Sequence, residues 1–448
     1  MTRRIIVALV RFTLRLYFRR VEVAGLEHVP RQSPVIFVLN HPNALVDPAF
    51  LLCLTPRRVS FLAKAPLFKM PVLGYLVRAL DSLPVYRHQD EGEDVSKNRE
   101  TFAAARRLLA RGGTIAICPE GTSHDEPGLQ PIKTGTARIA LGAVSTGEML
   151  DLKIVPAGLY YTAKTMFRSE ALLYFGQPIE VKPVQLDPDG DPPREEVREL
   201  SKRIESALRE VILDAQHEEA LKMVTRAERI FSSERQKDDA DESLTDELQL
   251  RQRFVNGYAR VLERVPERVT KLVARINRFE EQLRQAGVDP EDLSPPESAM
   301  AVLRHLLARF LVFFFVLVPA VLGILVHFPA YRLGGVLATR FSKNEEDVIS
   351  TVKIISAMLL FPLTWLVVAC ASFEIAGWIA ALLTLLILPF AGYAAMRFLE
   401  ELDAFTGGLR ALAFFLTRRW FFVRLLAERK AIHNEIVALG REATPAKR

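Results

Sequence analysis

The sequence predicts an α/β domain with a mostly parallel sheet flanked by helices, followed by a charged helical region and a C-terminal membrane helical region. Three observations carry this prediction. Short apolar runs alternate with helical stretches over the first 181 residues, and strands separated by helices pair in parallel. Charged residues then recur at helical spacing up to about Gly287. Beyond Phe310 come uncharged stretches close to the roughly 20 residues that a spanning helix needs.

Composition sets the outer limits. The 448 residues hold 59 Lys and Arg against 53 Asp and Glu, a net charge of +6. So small an excess, with no aromatic residues interleaved among basic ones, argues against a nucleic-acid partner. Half of the residues are hydrophobic and a quarter are charged, which excludes a disordered chain. Cys53, Cys118 and Cys370 are odd in number and sit in apolar runs. They exclude a disulfide scaffold and show no zinc-ligand spacing.

The elements follow in order. In residues 1–20, Arg3, Arg4, Arg11, Arg15, Arg19 and Arg20 accompany a face of Leu9, Phe12, Leu16 and Tyr17. That pattern reads as a basic amphipathic helix on an anionic membrane surface, with a helix packed on the domain as the alternative. Residues 21–181 form one domain. Val35–Leu39 and Thr114–Cys118 are apolar runs suited to buried strands. A helix over Arg99–Ala110 stops at Gly112-Gly113. Lys153–Pro156 and Ala171–Phe175 are further strands. A polar linker through Pro193 opens a charged helical region, 182–300, with an acidic break at 232–247.

The hydrophobic region, 301–398, carries spans near 354–373 and 375–396 that turn at Glu374. A third apolar run, 310–326, is expected to be re-entrant, kinked near Pro319. Basic residues between Arg332 and Lys353 and after Met396 put both flanks, and a basic tail at 399–448, in the cytoplasm. His305 and His327 flank the first apolar run as interfacial residues.

The chemistry collects at strand ends, where parallel sheets place ligands. Val35–Leu39 leads into Asn40-His41-Pro42. Asp47-Pro48 reads as an N-cap with proline at the first helical position. A loop folding back would bring Asp47 onto His41, orient the ring, fix its tautomer and support positive charge on it, as a general base requires. The next strand ends in Cys118-Pro119-Glu120-Gly121-Thr122, a carboxylate beside a flexible backbone that substrate groups can approach. Lys133 precedes a helical run, a position suited to phosphate. Lys64, Arg87, Lys133 and Arg168 are the candidate phosphate cations. Cys118 reads as a strand filler, Ser123-His124-Asp125 as a loop rather than a triad, and His88 and Asp90 as solvated.

Four blocks then stand in order: Asn40-His41-Pro42 with Asp47-Pro48; Pro84-Val85-Tyr86-Arg87; Pro119-Glu120-Gly121-Thr122; and Ile154-Val155-Pro156. Their order and spacing resemble those of the phospholipid/glycerol acyltransferase family, over about residues 20–181. One more residue than the family pattern separates His41 from Asp47. Ser123, followed by His124 and Asp125, stands where the family carries an arginine. Both departures are similar to the fungal-type glycerol-3-phosphate/dihydroxyacetone-phosphate acyltransferases, as is Phe167-Arg168-Ser169 followed by Phe175-Gly176-Gln177-Pro178-Ile179.

The resemblance implies a membrane-bound glycerolipid O-acyltransferase, facing the cytoplasm. His41 would be the base and Asp47 its orienting partner. Arg87, Glu120, Gly121 and Thr122 would bind the glycerol phosphate acceptor, with Arg168 or Lys133 covering the missing arginine. The donor would be acyl-CoA or acyl carrier protein as co-substrate, the acceptor glycerol-3-phosphate or dihydroxyacetone phosphate, and neither a metal nor a cofactor would be needed. The alternatives are a lysophosphatidate acyltransferase and, from another class, a non-catalytic membrane scaffold. A lipid transporter built on the hydrophobic region is disfavoured by its lack of buried charge other than Glu374.

Overall fold

The computed structural model describes residues 2–214, 243–287, 299–342 and 345–443, apart from positions 88, 91, 93, 127, 147–150 and 418, together with Met223 and Arg226. The chain divides into two compact units. The first comprises Met1–Asp214, Ser243–Leu248 and Ala338–Ile354; the second comprises Ala215–Glu242, Gln249–Leu337 and Ile355–Arg448.

The first unit is an α/β/α sandwich around an eight-stranded sheet. The strands are β1 (Arg20–Ala24), β2 (Val35–Leu39), β3 (Val59–Lys64), β4 (Leu83–Val85), β5 (Thr114–Ile117), β6 (Lys153–Tyr161), β7 (Glu170–Phe175) and β8 (Ile179–Glu180). Their order is β1-β7-β6-β2-β5-β3-β4, with β8 on β6. All pairings are parallel except those of β6 with β7 and β8. Central β2 is buried throughout, as its unbroken apolar run requires.

Alternate residues of β2 feed two cores. Val35, Phe37 and Leu39 meet α1 (Thr2–Tyr17) and α2 (Val46–Leu54). Ile36 and Val38 meet α5 (Asn98–Ala110), α6 (Gly135–Ser145) and α7 (Arg194–Val211). Two short helices, α3 (Pro66–Lys69) and α4 (Pro71–Ala79), join β3 to β4.

Two expectations about this unit are corrected. The first is the apolar face of the N-terminal helix: Leu14 and Tyr17 are buried in the core, while Leu9 and Phe12 are exposed on the opposite side. The face predicted from the sequence was therefore rotated, because Leu14 and the partly buried Val7 and Val10 define the inward stripe. Helix α7, expected in the charged region beyond residue 182, belongs to the sheet domain. Val197, Leu200, Ile204, Leu208 and Val211 give it a buried stripe at helical spacing. The charges occupy its other faces.

The second unit is helical. It contains most of α8 (Leu244–Arg264), together with α9 (Pro266–Ala286), and most of α10 (Ala299–Phe341) and α11 (Glu346–Thr417), together with α12 (Arg419–Ala443). Val269, Leu272, Ile276 and Phe279 of α9 pack with Phe422, Leu425, Ile432 and Leu439 of α12. Arg268 pairs with Glu435 at 2.8 Å, and Arg275 with Glu428 at 2.5 Å. The expected basic tail is thus a packed helix, its apolar stripe hidden among charges in the sequence. The acidic break expected at 232–247 lies outside the described residues up to 242; from Ser243 the chain already enters α8.

Two helical stretches are long and apolar enough to cross a membrane, Phe315–Phe341 and Glu346–Leu402. The expected re-entrant bend is not found, since α10 runs on through Pro319 and Pro329. Each proline removes one backbone hydrogen bond while the neighbouring turns carry the helix on. Helix α11 folds back at Gly377, at φ 81 and ψ −173, rather than at Glu374. Only glycine takes that conformation without strain. A hydrogen bond from Thr384 Oγ1 to Ser372 Oγ at 3.0 Å joins the two arms. The His327 ring bonds the Gly323 carbonyl and accepts from Trp365 Nε1, both at 2.7 Å. The side chain of His305 lies outside the described residues.

Candidate functional site

His41 stands two residues beyond the carboxyl end of β2. The chain then turns sharply through Asn43–Leu45, with Ala44 at the positive φ of 29. The amides of Val46 and Asp47 donate to the Asn43 carbonyl at 2.9 and 3.3 Å, starting α2. Asp47 therefore lies in the first turn of the helix and is not its cap, as the Asp-Pro pair had indicated. Residue 45 takes the cap position with no side-chain bond.

That two-residue shift frees the Asp47 carboxylate to point back at the loop. The side chain is fully buried. Oδ2 accepts from His41 Nδ1 at 2.9 Å and from the Asn43 amide at 2.7 Å. Oδ1 accepts from the Tyr161 hydroxyl at 2.6 Å. Burial and the Asp47 charge push the Tyr161 hydroxyl far above its ordinary range, so it stays a donor. Three donors thus satisfy a carboxylate that has left water. With Nδ1–H donating to Asp47, the lone pair of His41 is on Nε2. Nε2 makes no hydrogen bond among the described residues, and the side chain is 19% exposed.

Beside this pair lies a second one. Glu120, three residues beyond β5, is buried. Its Oε1 accepts from the His41 amide at 3.0 Å. Its Oε2 accepts from the Gln130 amide at 2.9 Å and from His124 Nε2 at 2.5 Å. The His124 amide donates to the His41 carbonyl at 3.2 Å. The hydrogen bond to Glu120 raises the His124 pKa against the opposing effect of burial. Glu120 was expected to touch the acceptor. Its carboxylate instead binds three groups of the protein and fastens two loops together. His124, expected in a simple loop, is the side-chain donor at that carboxylate.

Gly121 connects this pair to a cluster of cations. It has φ 78, and a Cβ there would lie 2.6 Å from Lys133 Nζ. Only glycine lets the Lys133 side chain lie against this backbone. Arg87 donates to the Gly121 carbonyl at 2.7 Å and grips Asp90 through two nitrogens at 2.8 and 2.6 Å. The Arg87 hydrogen bond holds Asp90 below the usual carboxylate range, and the charges of Arg87, Lys64 and Lys133 add to it. Asp90 is therefore a partner of Arg87 and not a solvated residue; His88 lies outside the described residues. Neither Lys64 nor Lys133 has an ion-pair partner among the described residues.

The remaining candidates are dispersed. Thr122 is exposed, its hydroxyl donating to the Ser123 carbonyl at 3.2 Å. Arg168, at φ 65, donates to the Phe18 carbonyl at 3.3 Å, beside the C-terminus of α1. Burial pushes the Cys118 thiol well up, with the Asp47 and Glu120 charges adding to it. That favours the neutral thiol. Among the described residues no group of three or more side chains suited to metal ligation gathers.

A last set of residues escaped the sequence reading. The Leu45 amide donates to Thr351 Oγ1 at 3.3 Å. Ser350 Oγ bonds the Lys164 carbonyl and accepts from the Tyr17 hydroxyl. Asn43 Nδ2 donates to the same Lys164 carbonyl at 3.3 Å, and Lys353 Nζ donates to the Thr165 carbonyl at 2.8 Å. The start of α11 thus braces the turn that carries Asp47. Nothing in the local sequence of Ser350–Lys353 marks this contact, made across some 300 residues. Tyr161 was findable only by register: β6 lies beside β2, with Ala157 opposite Leu39, and Tyr161 is four residues further on.

Two family profiles match this chain. One is described as Acyltransferase and covers residues 20–160; the other is described as Glycerol-3-phosphate acyltransferase 2 C-terminal domain and covers residues 223–447. The chain is 28% identical to glycerol-3-phosphate O-acyltransferase 2 of Saccharomyces cerevisiae, over 60% of this chain and 37% of that enzyme. It is 23% identical to an uncharacterized acyltransferase of Schizosaccharomyces pombe, over 86% of this chain and 72% of that protein. It is 29% identical to a chloroplastic 1-acyl-sn-glycerol-3-phosphate acyltransferase of Brassica napus, over 36% of this chain and 43% of that enzyme. The match therefore spans well under half the length of the yeast enzyme. The second profile covers half of the chain and the first covers the sheet domain that holds His41 and Asp47, so the chain belongs to the acyltransferase family whose members carry the glycerol-3-phosphate acyltransferase 2 C-terminal domain.

Proposed function

We propose that this chain is a membrane-bound glycerolipid O-acyltransferase that moves an acyl group from a thioester, acyl-CoA or acyl carrier protein, to a hydroxyl of glycerol-3-phosphate or dihydroxyacetone phosphate. One observation carries the reading: an imidazole whose Nδ1 is held by a buried carboxylate and whose Nε2 is unbonded, joined through Glu120-Gly121 to a cluster of three cations. A base beside a phosphate-binding cluster suits a small hydroxylated phosphate as acceptor.

The steps follow from those atoms. His41 Nε2 takes the proton of the acceptor hydroxyl, and Asp47 stabilises the imidazolium. The acceptor oxygen attacks the thioester carbonyl carbon. The tetrahedral intermediate collapses, the carbon–sulfur bond breaks, and the departing sulfur takes the proton back from Nε2. Asn43 and Tyr161 keep Asp47 on Nδ1 throughout. Lys64, Arg87 and Lys133 neutralise the acceptor phosphate. The two long apolar helical stretches would hold the chain in the bilayer, with the sheet domain on the cytoplasmic side, where thioester donors are made.

The test is acyl transfer by membranes containing the full chain. One labelled acyl-CoA is offered with glycerol-3-phosphate, dihydroxyacetone phosphate or lysophosphatidate, against His41→Ala as control. His41-dependent product from either of the first two acceptors is expected. Product from lysophosphatidate alone would replace the proposed acceptor. No His41-dependent product with either acyl-CoA or acyl carrier protein would leave the scaffold reading.

A further inference from the structure

A second charged feature lies at the opposite end of the sheet from His41. Five arginines, Arg3, Arg4 and Arg11 of α1 with Arg57 and Arg58 after α2, line a cleft of about 580 Å³. Its position is fixed by contacts to the amino ends of parallel strands. Arg3 donates to the carbonyl of Val59, the first residue of β3, and Arg57 donates to Thr114, the first residue of β5. The catalytic candidates lie beyond the carboxyl ends of β2 and β5.

The cleft is poorly neutralised. Asp81 is the one carboxylate in ion-pair contact with these arginines among the described residues, at 2.6 Å from Arg58 and 3.3 Å from Arg3. Arg11 and Arg57 bond neutral carbonyls, those of Cys53, Pro30 and Gly112. Arg4 is exposed and bonds no described group. Burial makes both Arg3 and Arg57 hold their protons less tightly, and the Arg58 charge acts on Arg3 in the same sense. Capping of carbonyls accounts for Arg3, Arg11 and Arg57. It does not account for Arg4 or for Arg58, whose side chain is 70% exposed. Five guanidiniums facing one carboxylate are complementary to a phosphate-bearing anion.

The surface beside the cleft identifies where that phosphate comes from. Helix α1 turns Leu14 and Tyr17 into the core but leaves Ile5, Leu9 and Phe12 at least half exposed. These three lie four and three residues apart, one outward stripe on the helix that supplies Arg4 and Arg11. A free phosphate has no use for such a stripe, whereas a phospholipid has acyl chains to lay along it.

We propose that the arginine cleft binds the headgroup phosphate of an anionic membrane phospholipid, whose acyl chains cover Ile5, Leu9 and Phe12, at a site separate from the catalytic one. The proposal does not depend on the acyl-transfer reading. The test uses the full chain, purified in a non-ionic detergent, with equilibrium binding of a fluorescent phosphatidylglycerol. The variants are Arg4→Glu/Arg58→Glu, Arg4→Lys/Arg58→Lys, Ile5→Ser/Leu9→Ser and His41→Ala. Unchanged melting temperatures keep misfolding out of the comparison.

Charge reversal is expected to weaken binding at least about 25-fold, the product of about fivefold for each of the two arginines lost. The lysine pair is expected to stay within a few-fold of the native chain, the serine pair to bind measurably more weakly, and His41→Ala to bind normally. Equal binding by the charge-reversed and native chains would overturn the site. Displacement by inorganic phosphate at the concentration of the lipid itself, with the serine pair binding normally, would overturn the lipid as its ligand. Loss of binding in His41→Ala would overturn its separation from the catalytic centre.

Discussion

Two histidine–carboxylate pairs lie side by side in the sheet domain, and they are wired in opposite ways. His41 gives Nδ1 to Asp47 and leaves Nε2 unbonded. His124 gives Nε2 to Glu120, and its Nδ1 is buried without a described partner. In the proposed reaction the first pair keeps a basic nitrogen for an incoming hydroxyl. The second spends its accessible chemistry on holding loops: its carboxylate takes the His41 amide, and its histidine amide takes the His41 carbonyl. On that proposal, residue types that look alike in a sequence serve as reagent in one place and as fastener in the other. What separates them is which ring nitrogen faces the carboxylate.

The comparison can be broken at its strongest point first. His41→Ala is expected to lower kcat on the order of 10⁴-fold, the upper range for a lost general base. Asp47→Asn is expected to cost roughly 10³-fold while the chain stays folded, because an amide in that place favours the wrong tautomer. Steady-state kinetics on membranes, with expression checked, measures both. A kcat near the native value in either variant would remove the pair from the reaction.

The second pair should answer in stability. Glu120→Gln removes the charged acceptor shared by His124 Nε2 and the amides of His41 and Gln130, and is expected to cost about 3 kcal/mol. Thermal unfolding of the purified chain reads that loss directly. Tyr161→Phe removes one bond to the Asp47 carboxylate and is expected to lower kcat about tenfold, with KM for the acceptor little changed. Thr351→Val removes the bond to the Leu45 amide and is expected to lower kcat roughly fivefold. If Thr351→Val instead changed acceptor KM alone, the bracing of the turn would not be what this contact does.

The smallest effect is in pH. The pKa of His124 is raised above its ordinary 6.5 in the folded chain. The pair therefore contributes its full stability below the unfolded value and loses it as pH rises through the folded value. Melting temperature is expected to fall as the pH climbs above about 6.5, and His124→Gln is expected to flatten that fall. Equal slopes in the two chains would mean that the Glu120–His124 pair is not linked to folding.

The sequence made the centre of the sheet legible because β2, β5 and β6 are buried on both faces and read as unbroken apolar runs. β1 and β3 escaped because partly exposed residues interrupt them. The pairing of His41 with Asp47 was legible from a short loop between a strand and a helix. The cap assignment failed because Asp-Pro marks a helix start without fixing its first residue, and a difference of two residues decides where the carboxylate points. Glu120 was visible as a residue but not as a fastener, since its partners at positions 41, 124 and 130 meet only when two strand ends lie adjacent. Charges hid the stripes of α7 and α12, and an uninterrupted apolar run hid the fold-back at Gly377.

The position of β2 between β5 and β6 bears on how the protein comes into being. During synthesis β2 emerges first, and both of its neighbours follow after long intervening segments. Pairings so distant in sequence close slowly. His41 and Asp47 are already present in a growing chain that has not reached Glu120 or Tyr161, but nothing yet anchors the loop or holds the carboxylate. Acyl transfer would then switch on only with completion of the central sheet, which makes the reaction itself a reporter of a late folding event.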